Sequence, residues 1–434
     1  MVTLRVTGPT PLAGEVVVPG AKNSVSKLLT ASLLTAEPST FTNVPAIGDT
    51  EITRRICESL GATVHLSAGR VLEIATPNIR SVEVPHELSR HNRLSVMMLG
   101  PLLHRAGSAI IAAAGGDRIG VRPVDFHISG FREMGASIEE QGGVYVAQTD
   151  GLHGADIHLP YPSVTATENL LIGATLARGT TYLRNAAVEP EVIDLVLFLQ
   201  KMGAIIDYRV DRTFVVEGVR ALHGSRHQVM PDRLVAASFA AAAIASGGDL
   251  FVRGARQGDL LTYLNTIRRV GGGFDIQEDG IRFYRSGRLR PIALETTVHP
   301  GFMTDWHPPF AVLLTQAEGM SVIHETVFED RLSYVEALKK MGADIEVYNQ
   351  CLGNAECRFR TSGHRHSAVI RGPARLYGAD IEVPDLRAGF TYLIAAVIAE
   401  GVSTIRGVEE LDRGYEAIDE SLRAAGADIV RVTR

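Results

Sequence analysis

The chain has 434 residues, which is long for a single hydrophobic core, so its length predicts two domains. Its hydrophobic fraction of 45% and charged fraction of 21% are ordinary for globular proteins, and its formal net charge of −6 argues against a nucleic-acid-coating surface. No apolar run approaches the ~18 residues of a membrane span, the N-terminus alternates like a strand rather than a signal peptide, and the three cysteines make no disulfide framework. We therefore expect a cytoplasmic protein with neither membrane insertion nor a nucleic-acid partner.

One short signature recurs along the whole chain. An apolar residue, a glycine and a small residue are followed by alternating apolar positions, and successive glycines are 68 to 84 residues apart. This spacing is too regular for chance and too long for a solenoid, so it indicates six copies of one α/β module. The central glycines are Gly61, Gly135, Gly203, Gly271, Gly342 and Gly426.

Within each copy the predicted elements follow the same order. A helix of small apolar residues precedes a glycine and a β-rich run, then an amphipathic helix such as 192–202, which the signature glycine ends, and last a strand or hairpin. The first helix is apolar nearly all round, which predicts burial. It is clearest at 27–34, 169–176, 238–245 and 391–399. The predicted fold class is α/β, with three copies in each of two domains, buried helices, outer sheets and a cleft between the domains as the default site.

Charged residues at the starts of these apolar helices are the first candidates for chemistry, because the free N–H groups of a helix start favour anions. Lys22 opens one such helix, Arg93 precedes another, and Asp385 and Arg387 begin the last. A lone lysine in such a place is usually a solvated cap, but recurrence at equivalent points favours ligand binding.

Six segments carry a family resemblance. Taken together they closely resemble the motifs of the UDP-N-acetylglucosamine enolpyruvyl transferases, relatives of EPSP synthase, and the resemblance runs from residue 1 to residue 434. The segments are 19–23, 115–127, 304–305, 325–331, 384–388 and 412–416.

This resemblance implies a fold and a reaction. The fold would be two inside-out α/β domains, each of three βαβαββ-like units. The first domain would comprise 22–229, and the second would comprise 1–21 and 230–434. The first strand of the chain would return to complete the second domain. The domains would close over the substrates. The reaction would transfer the enolpyruvyl group of phosphoenolpyruvate to the 3-hydroxyl of UDP-N-acetylglucosamine by addition and elimination, with release of phosphate, as the first committed step of peptidoglycan precursor synthesis.

The resemblance also implies residue roles. Lys22, Asp117, Asp305 and Arg413 would be catalytic, with Asp305 as the base for the sugar hydroxyl, while Lys22 and arginine forks would hold the phosphate and carboxylate of phosphoenolpyruvate. No metal or organic cofactor is implied, and the partners would be the two small-molecule substrates. The substrate-binding residues would be Asn23, Arg93, Arg122, Pro123, Val124, Asp125, Phe126, Ser163, Val164, Thr165, Val327, Arg331, Asp385 and Arg387.

Asp117 is a departure from most of the family, whose members carry cysteine in this loop. Either residue can supply a proton. A carboxylic acid is a much poorer nucleophile than a thiolate toward an epoxide, so we expect resistance to fosfomycin, which alkylates that cysteine.

Two further departures concern the nucleotide. Tyr161 stands where some relatives place lysine near the diphosphate, and Thr165 where glycine is usual. They leave open a different acceptor, such as UMP in nucleoside-antibiotic biosynthesis. A catalytically inactive paralogue that binds the nucleotide sugar is the non-enzymatic alternative. The intact uridine-side segment, 122–127, favours the nucleotide sugar, and the retained charged positions favour an enzyme.

The last departure is the stretch 351–366, which lengthens the fifth copy and contains Cys351, Cys357, His364 and His366. Cysteine together with histidine suggests zinc. The spacing matches no common zinc finger, however, so the sequence favours a surface hairpin extension without metal.

Overall fold

The computed structural model describes residues 2–89, 93–112, 124–354, 357–384 and 386–433, apart from the side chains of 386–388. Over these residues the chain forms 23 β-strands, 14 α-helices and one 3-10 helix, Leu94–Met98. The strands are β1 Val2–Gly8, β2 Ala13–Val17, β3 Ser39–Thr42, β4 Thr63–Ser67, β5 Val71–Ala75, β6 Ser108–Ala112, β7 Ser137–Gln141, β8 Val144–Gln148, β9 Asp156–His158, β10 Thr180–Arg184, β11 Ile205–Arg209, β12 Thr213–Glu217, β13 Arg226–Gln228, β14 Asp249–Arg253, β15 Gly272–Gln277, β16 Gly280–Arg285, β17 Ala293–Glu295, β18 Gly319–His324, β19 Asp344–Tyr348, β20 Ser367–Gly372, β21 Asp380–Glu382, β22 Gly401–Arg406 and β23 Asp428–Thr433. The helices are α1 Lys22–Ser32, α2 Gly48–Leu60, α3 His86–Ser89, α4 Leu99–Ala106, α5 Asp125–Glu133, α6 Val164–Ala174, α7 Pro190–Lys201, α8 Arg233–Ala245, α9 Leu261–Val270, α10 His307–Leu314, α11 Val335–Lys340, α12 Leu386–Ile398, α13 Val408–Asp412 and α14 Ile418–Ala424.

The described residues divide into two compact units. The first unit comprises 20–112 and 124–230, and the second comprises 2–19 and 231–433. The resemblance implied boundaries at 21/22 and 229/230, whereas the two compact units meet at 19/20 and 230/231. The difference has a local cause, because the backbone at Gly20 packs so closely in the first unit that a Cβ there would lie 1.9 Å from the Asn43 carbonyl oxygen.

Each unit contains three small sheets. In the first unit the strand orders are β13-β3-β5-β4, β6-β8-β7 and β11-β12-β10-β9, and in the second they are β15-β16-β14-β2, β17-β18-β20-β19 and β21-β22-β1-β23. The six sheets confirm the α/β fold of six repeated modules. The strand β1 lies antiparallel between β22 and β23, as the resemblance implied.

Apolar helices form the core of each unit. Every residue of α6 from 166 to 174 is buried, as is every residue of α10 and all but one of α8. In the second unit α8 packs against α10 and α12, and in the first unit α6 packs against α4 and α7. These contacts confirm the burial that the small-residue pattern predicts. No helix in the described part of the chain is long and apolar enough to cross a bilayer.

The signature glycines end the amphipathic helices as predicted. Gly61 follows α2 with φ of 117°, and Gly271 follows α9 with φ of 91°. A positive φ is accessible to glycine without the steric cost of a Cβ, which explains the residue type at this position of the repeat.

Candidate active site

The first group of candidate residues lies where α1 begins. Lys22 is the first residue of this helix, and its Nζ lies 3.0 Å from Oδ2 of Asp49 in the first turn of α2. Asn23 follows, and its carbonyl accepts a hydrogen bond from Lys27 Nζ at 2.6 Å. Both side chains of the Lys22–Asp49 pair are largely buried. A largely buried ammonium at a helix start is suited to bind an anionic group, and Asp49 fixes its position.

A second group surrounds His127 in the same unit. Asn169 Nδ2 donates to the carbonyl of Val96 at 2.9 Å and to His127 Nδ1 at 3.0 Å. Because Nδ1 accepts, the imidazole proton is on Nε2, which lies 3.4 Å from Oγ1 of Thr165. Burial, assisted by the nearby charge of Arg93, lowers the pKa of His127 to about 3, so the ring is neutral near pH 7. The hydroxyl of Thr165 therefore accepts from His127 and keeps its own proton for another acceptor.

Two helices begin beside this group. Ser163 caps α6, its hydroxyl accepting from the N–H of Ala166 at 3.4 Å, and Val164 and Thr165 form the first turn. The N–H groups of a first turn have no acceptor within their own helix, so they favour an anion such as a diphosphate. Thr165 has helical backbone geometry, and its Cβ therefore imposes no conformational strain where the family usually has glycine.

The start of α5 carries three of the residues that the resemblance assigns to the uridine. Val124 is buried at the N-cap position, and Asp125 and Phe126 form the first turn. Phe126 packs on the core of the first unit, while Asp125 is exposed. A carboxylate in the first turn is stabilised by the helix dipole and leaves its oxygens available to N–H donors of a ligand.

In the second unit, Asp305 and Arg331 form a buried ion pair. Arg331 Nη2 donates to Asp305 Oδ1 at 2.8 Å, and the side chains are 2% and 9% exposed. Asp305 lies just before α10, and Arg331 lies in the segment after β18. Nε of Arg331 is buried and meets no hydrogen-bond acceptor among the described residues. The pair holds a carboxylate oxygen at a fixed place, which a base for a substrate hydroxyl requires.

A buried carboxylate organises the two segments that carry this pair. Glu325 Oε1 accepts from the N–H groups of Val327, at 2.7 Å, and Phe328, at 3.0 Å. Its Oε2 accepts from Thr304 Oγ1 at 2.9 Å and lies 3.0 Å from His307 Nε2. Burial opposes ionisation of Glu325, but the hydrogen bonds from His307 and from the backbone outweigh it and lower the pKa of the carboxyl. Glu325 is thus an ionised anchor that joins 304–305 to 325–331.

The imidazole of His307 extends this network. Its Nδ1 lies 3.2 Å from the hydroxyl of Tyr334, and burial lowers the pKa of the imidazole against the opposing effect of Glu325. Because the ionised carboxylate of Glu325 can only accept, the imidazole proton of His307 lies on Nε2, which faces Glu325. Nδ1 is then unprotonated and accepts from the hydroxyl of Tyr334.

The remaining candidates lie on the last repeat. Arg413 follows α13, and its Nη1 lies 2.6 Å from Oε2 of Glu410. Arg387 is the second residue of α12, a helix start as the sequence indicated. Arg431 on β23 bonds both oxygens of Asp412 at 2.8 Å and so holds α13 on the sheet.

Several sequence predictions lie outside the described residues. These are Asp117, Arg122, Pro123 and Asp385, together with the side chain of Arg387.

The sequence did not identify several buried polar residues that orient the candidates. A polar residue inside an apolar helix could have indicated such an orienting role, as at Asn169 in α6 and His307 in α10. Asp49 had only its place in the first turn of α2 as a signal.

The stretch 351–366 lies in the connection of the β19–β20 hairpin, since β19 and β20 pair antiparallel on either side of it. This stretch joins β19 to β20 through turns, with no strand among its described residues. The reason is that its backbone bonds to side chains rather than to a neighbouring strand: the N–H of Asn354 donates to Glu295 Oε1 at 2.7 Å, and the N–H of Leu352 donates to Ser367 Oγ at 3.3 Å.

Six small sheets over buried helices, together with charged groups at helix starts, are the arrangement expected of an enolpyruvyl transferase. The chain belongs to the EPSP synthase family, whose model, described as EPSP synthase (3-phosphoshikimate 1-carboxyvinyltransferase), matches residues 6–422. The enolpyruvyl transferase NikO from Streptomyces tendae has the same fold, with a TM-score of 0.88 and 24% identity over 100% of this chain and 99% of NikO.

More similar sequences narrow the comparison. The UDP-N-acetylglucosamine 1-carboxyvinyltransferase of Protochlamydia amoebophila is 48% identical, over 99% of this chain and 94% of the relative. The protein of the same name from Gluconobacter oxydans is 43% identical, over 99% of both chains. These relatives confirm the resemblance seen in the motifs.

Proposed function

We propose that the protein transfers the enolpyruvyl group of phosphoenolpyruvate to the 3-hydroxyl of UDP-N-acetylglucosamine and releases phosphate, the first committed step of peptidoglycan precursor synthesis. The observation that carries this proposal is the 48% identity, over nearly the whole length of both chains, with a UDP-N-acetylglucosamine 1-carboxyvinyltransferase. We place the reaction in the cytoplasm, with these two small molecules as partners.

The chemistry consists of an addition and an elimination. The hydroxyl loses its proton as its oxygen bonds to C2 of phosphoenolpyruvate, while C3 gains a proton. The tetrahedral intermediate then loses a proton from C3, the bond from C2 to the phosphate oxygen breaks, and phosphate leaves. No electrons are gained or lost overall, so the protein has to supply proton transfer, charge neutralisation and orientation.

Asp305 is the proposed base for the hydroxyl. Its support is the ion pair with Arg331, which holds the buried carboxylate in a fixed position. Asp117, outside the described residues, is the proposed proton donor to C3. The proton that C3 gains and later loses requires an acid at this position that also acts as a base, and a carboxyl group can do both.

Charge neutralisation is assigned to basic residues. Lys22, Arg122, Arg387 and Arg413 would bind the phosphate and carboxylate of phosphoenolpyruvate, and Asn23 would contact the reacting hydroxyl. The geometry that supports Lys22 is its place at the start of α1 with Asp49 beside it. Guanidinium forks match the paired oxygens of both anionic groups.

The nucleotide is assigned to the first unit. The starts of α5 and α6 would take the uridine and the diphosphate, through Val124, Asp125 and Phe126 on one helix and Ser163, Val164 and Thr165 on the other. Support comes from the two helix starts, whose positive dipole ends favour an anion, and from the Thr165 hydroxyl that His127 orients. Arg93 adds positive charge beside this group.

The test is phosphate release from phosphoenolpyruvate by the purified full-length protein. We expect phosphate release with UDP-N-acetylglucosamine and a product mass that corresponds to an added enolpyruvyl group. With UDP-glucose we expect no release at a comparable rate. Release with UMP alone would overturn the proposal in favour of the nucleoside-antibiotic reaction. Calorimetric binding of the nucleotide sugar without release from any acceptor would identify an inactive paralogue.

A further inference from the structure

Four metal-ligating side chains, none of them assigned to the reaction, converge in the second unit. His324 ends β18, His366 immediately precedes β20, and Cys351 and Cys357 lie in the turns that join β19 to β20. One ligand atom from each residue lies within 4.8 Å of the other three. The pairing of β18 with β20 brings the two histidines together, since His324 is opposite Ser367.

Both imidazoles present a lone pair to the cluster. His324 Nδ1 donates to Glu295 Oε2 at 3.4 Å, which leaves Nε2 as the unprotonated nitrogen. This Nε2 is buried, in a side chain with 0% exposure, and has no hydrogen-bond partner among the described residues. His366 Nδ1 donates to the carbonyl of His364 at 2.7 Å, so its Nε2 is also unprotonated. A buried imidazole nitrogen without a partner is costly unless a ligand satisfies it.

The distance between His366 and Cys351 suits a small tetrahedral ion. His366 Nε2 lies 3.4 Å from Cys351 Sγ. In a tetrahedral zinc site, bonds of about 2.3 Å to sulfur and about 2.05 Å to nitrogen put the two atoms about 3.5 Å apart. Cys357 Sγ accepts from the N–H of Phe359 at 3.3 Å, a contact that stabilises a thiolate.

The surroundings orient the histidines as a metal site requires. Glu295 accepts from His324 through one oxygen and from the N–H of Asn354 through the other, 2.7 Å away, so a single carboxylate fixes both the imidazole and the turn. A carboxylate behind a ligating histidine is the usual arrangement at zinc. Gly353 allows the close approach, because a Cβ there would lie 2.2 Å from His324 Nδ1.

We propose that His324, Cys351, Cys357 and His366 bind one Zn²⁺ in a structural site. Two thiolates and two imidazoles complete a tetrahedral shell, and binding releases the two thiol protons. All four positions are taken by protein, so the ion has no open position for a substrate. The sequence disfavoured zinc because the spacing within 351–366 matches no finger. The fourth ligand, His324, comes from outside that stretch.

The site would brace the segment that carries Val327 and Arg331. The carbonyl of His366 accepts from the N–H of Glu325 at 2.7 Å, and Arg358, next to Cys357, donates to the carbonyl of Val327. Zinc at this place ties the connection between β19 and β20 to the end of β18, from which the 325–331 segment begins.

The first test needs no variant. We expect the full-length protein, purified without a histidine tag from medium containing zinc, to hold about one zinc per chain after dialysis against a weak chelator. Replacement with Co²⁺ should give the strong visible absorption of tetrahedral cobalt and a near-ultraviolet thiolate-to-cobalt band. A chain that holds no zinc and gives no such bands would overturn the proposal, as would a Cys351–Cys357 disulfide in protein kept under reducing conditions.

Variants then assign the ligands. Cys351→Ser should lose the thiolate band and bind zinc far more weakly, whereas His364→Ala, which changes the same segment outside the ligand set, should keep one zinc. Glu295→Gln should weaken zinc binding by about 10–100-fold and retain the cobalt spectrum, as expected of a positioning residue. Undiminished zinc in Cys351→Ser would refute the assignment, and the Glu295→Gln titration remains informative if the cysteine variant fails to fold.

Discussion

Replacing Glu168 by glutamine would remove a buried titratable carboxyl group from the core of the first unit. Glu168 lies in α6 with 0% exposure, and neither carboxyl oxygen has a hydrogen-bond partner among the described residues. Lys27 Nζ is 3.7 Å away, and Glu189 and Glu191 add negative charge nearby. Burial, with these two acids and against the attraction of Lys27, raises the pKa of Glu168 from 4.5 to about 8.

The sign of the effect follows from the raised pKa. Above pH 4.5 the unfolded chain releases the Glu168 proton while the folded chain retains it until about pH 8, so stability is lost as the pH rises through this window. Between about pH 5 and about pH 8 this single group lowers the free energy of unfolding by about 3 kcal/mol. Glu168→Gln has no such titration, so its unfolding free energy minus that of the wild type should increase by about 3 kcal/mol over the same range.

Urea denaturation followed by circular dichroism at several pH values measures this difference, and hydrogen exchange in α1 and α6 assigns it to the first unit. Loss of the contact with Lys27 offsets the two curves by a constant, so the change in their separation with pH is the informative quantity. Glu73→Gln, at an exposed position of β5, is the matched control and should parallel the wild type. Parallel curves for Glu168→Gln and wild type would refute the reasoning.

Three predictions concern the reaction. Asp305→Asn should lower kcat roughly 10²–10⁴-fold and leave the circular dichroism spectrum unchanged, because the amide oxygen can still accept from Arg331; near-normal turnover would exclude Asp305 as the base. Thr165→Val removes the hydroxyl that His127 orients and should raise KM for UDP-N-acetylglucosamine about fivefold, a loss of about 1 kcal/mol, while Thr165→Ser restores it; equal KM values for the two variants would show that this hydroxyl does not contact the nucleotide. Incubation with fosfomycin should leave the intact mass and the activity unchanged, and an adduct on Asp117 would contradict the expected resistance.

The fold was largely predictable because its signals are local. A glycine after each amphipathic helix and a run of small residues in each buried helix need no knowledge of distant contacts, and the structure has both. The prediction that the first strand completes the second unit rested on the family resemblance instead. No local pattern in 2–8 can identify β22 and β23, some 400 residues away, as the antiparallel partners of β1.

The candidate site was predictable only in part, because motif residues and the residues that hold them differ in kind. Lys22 and Asp305 lie in recognisable sequence motifs. Asp49 and Asn169 contribute through tertiary contacts, which their positions in the sequence do not predict. The zinc ligands show the same limit, since His324 joins the cluster only through the pairing of β18 with β20.

The position of β1 also determines the order in which the units can be completed during synthesis. Every described strand and helix of the first unit has been made once residue 230 has left the ribosome, so this unit can fold early. The strand β1 is made before every other described element, yet both of its neighbours come from 401–433, and at 5–20 residues per second they follow it by roughly 20–80 s. Throughout that interval its hydrogen-bonding edges stay open, which makes residues 2–8 the segment where we expect chaperones to protect the nascent chain.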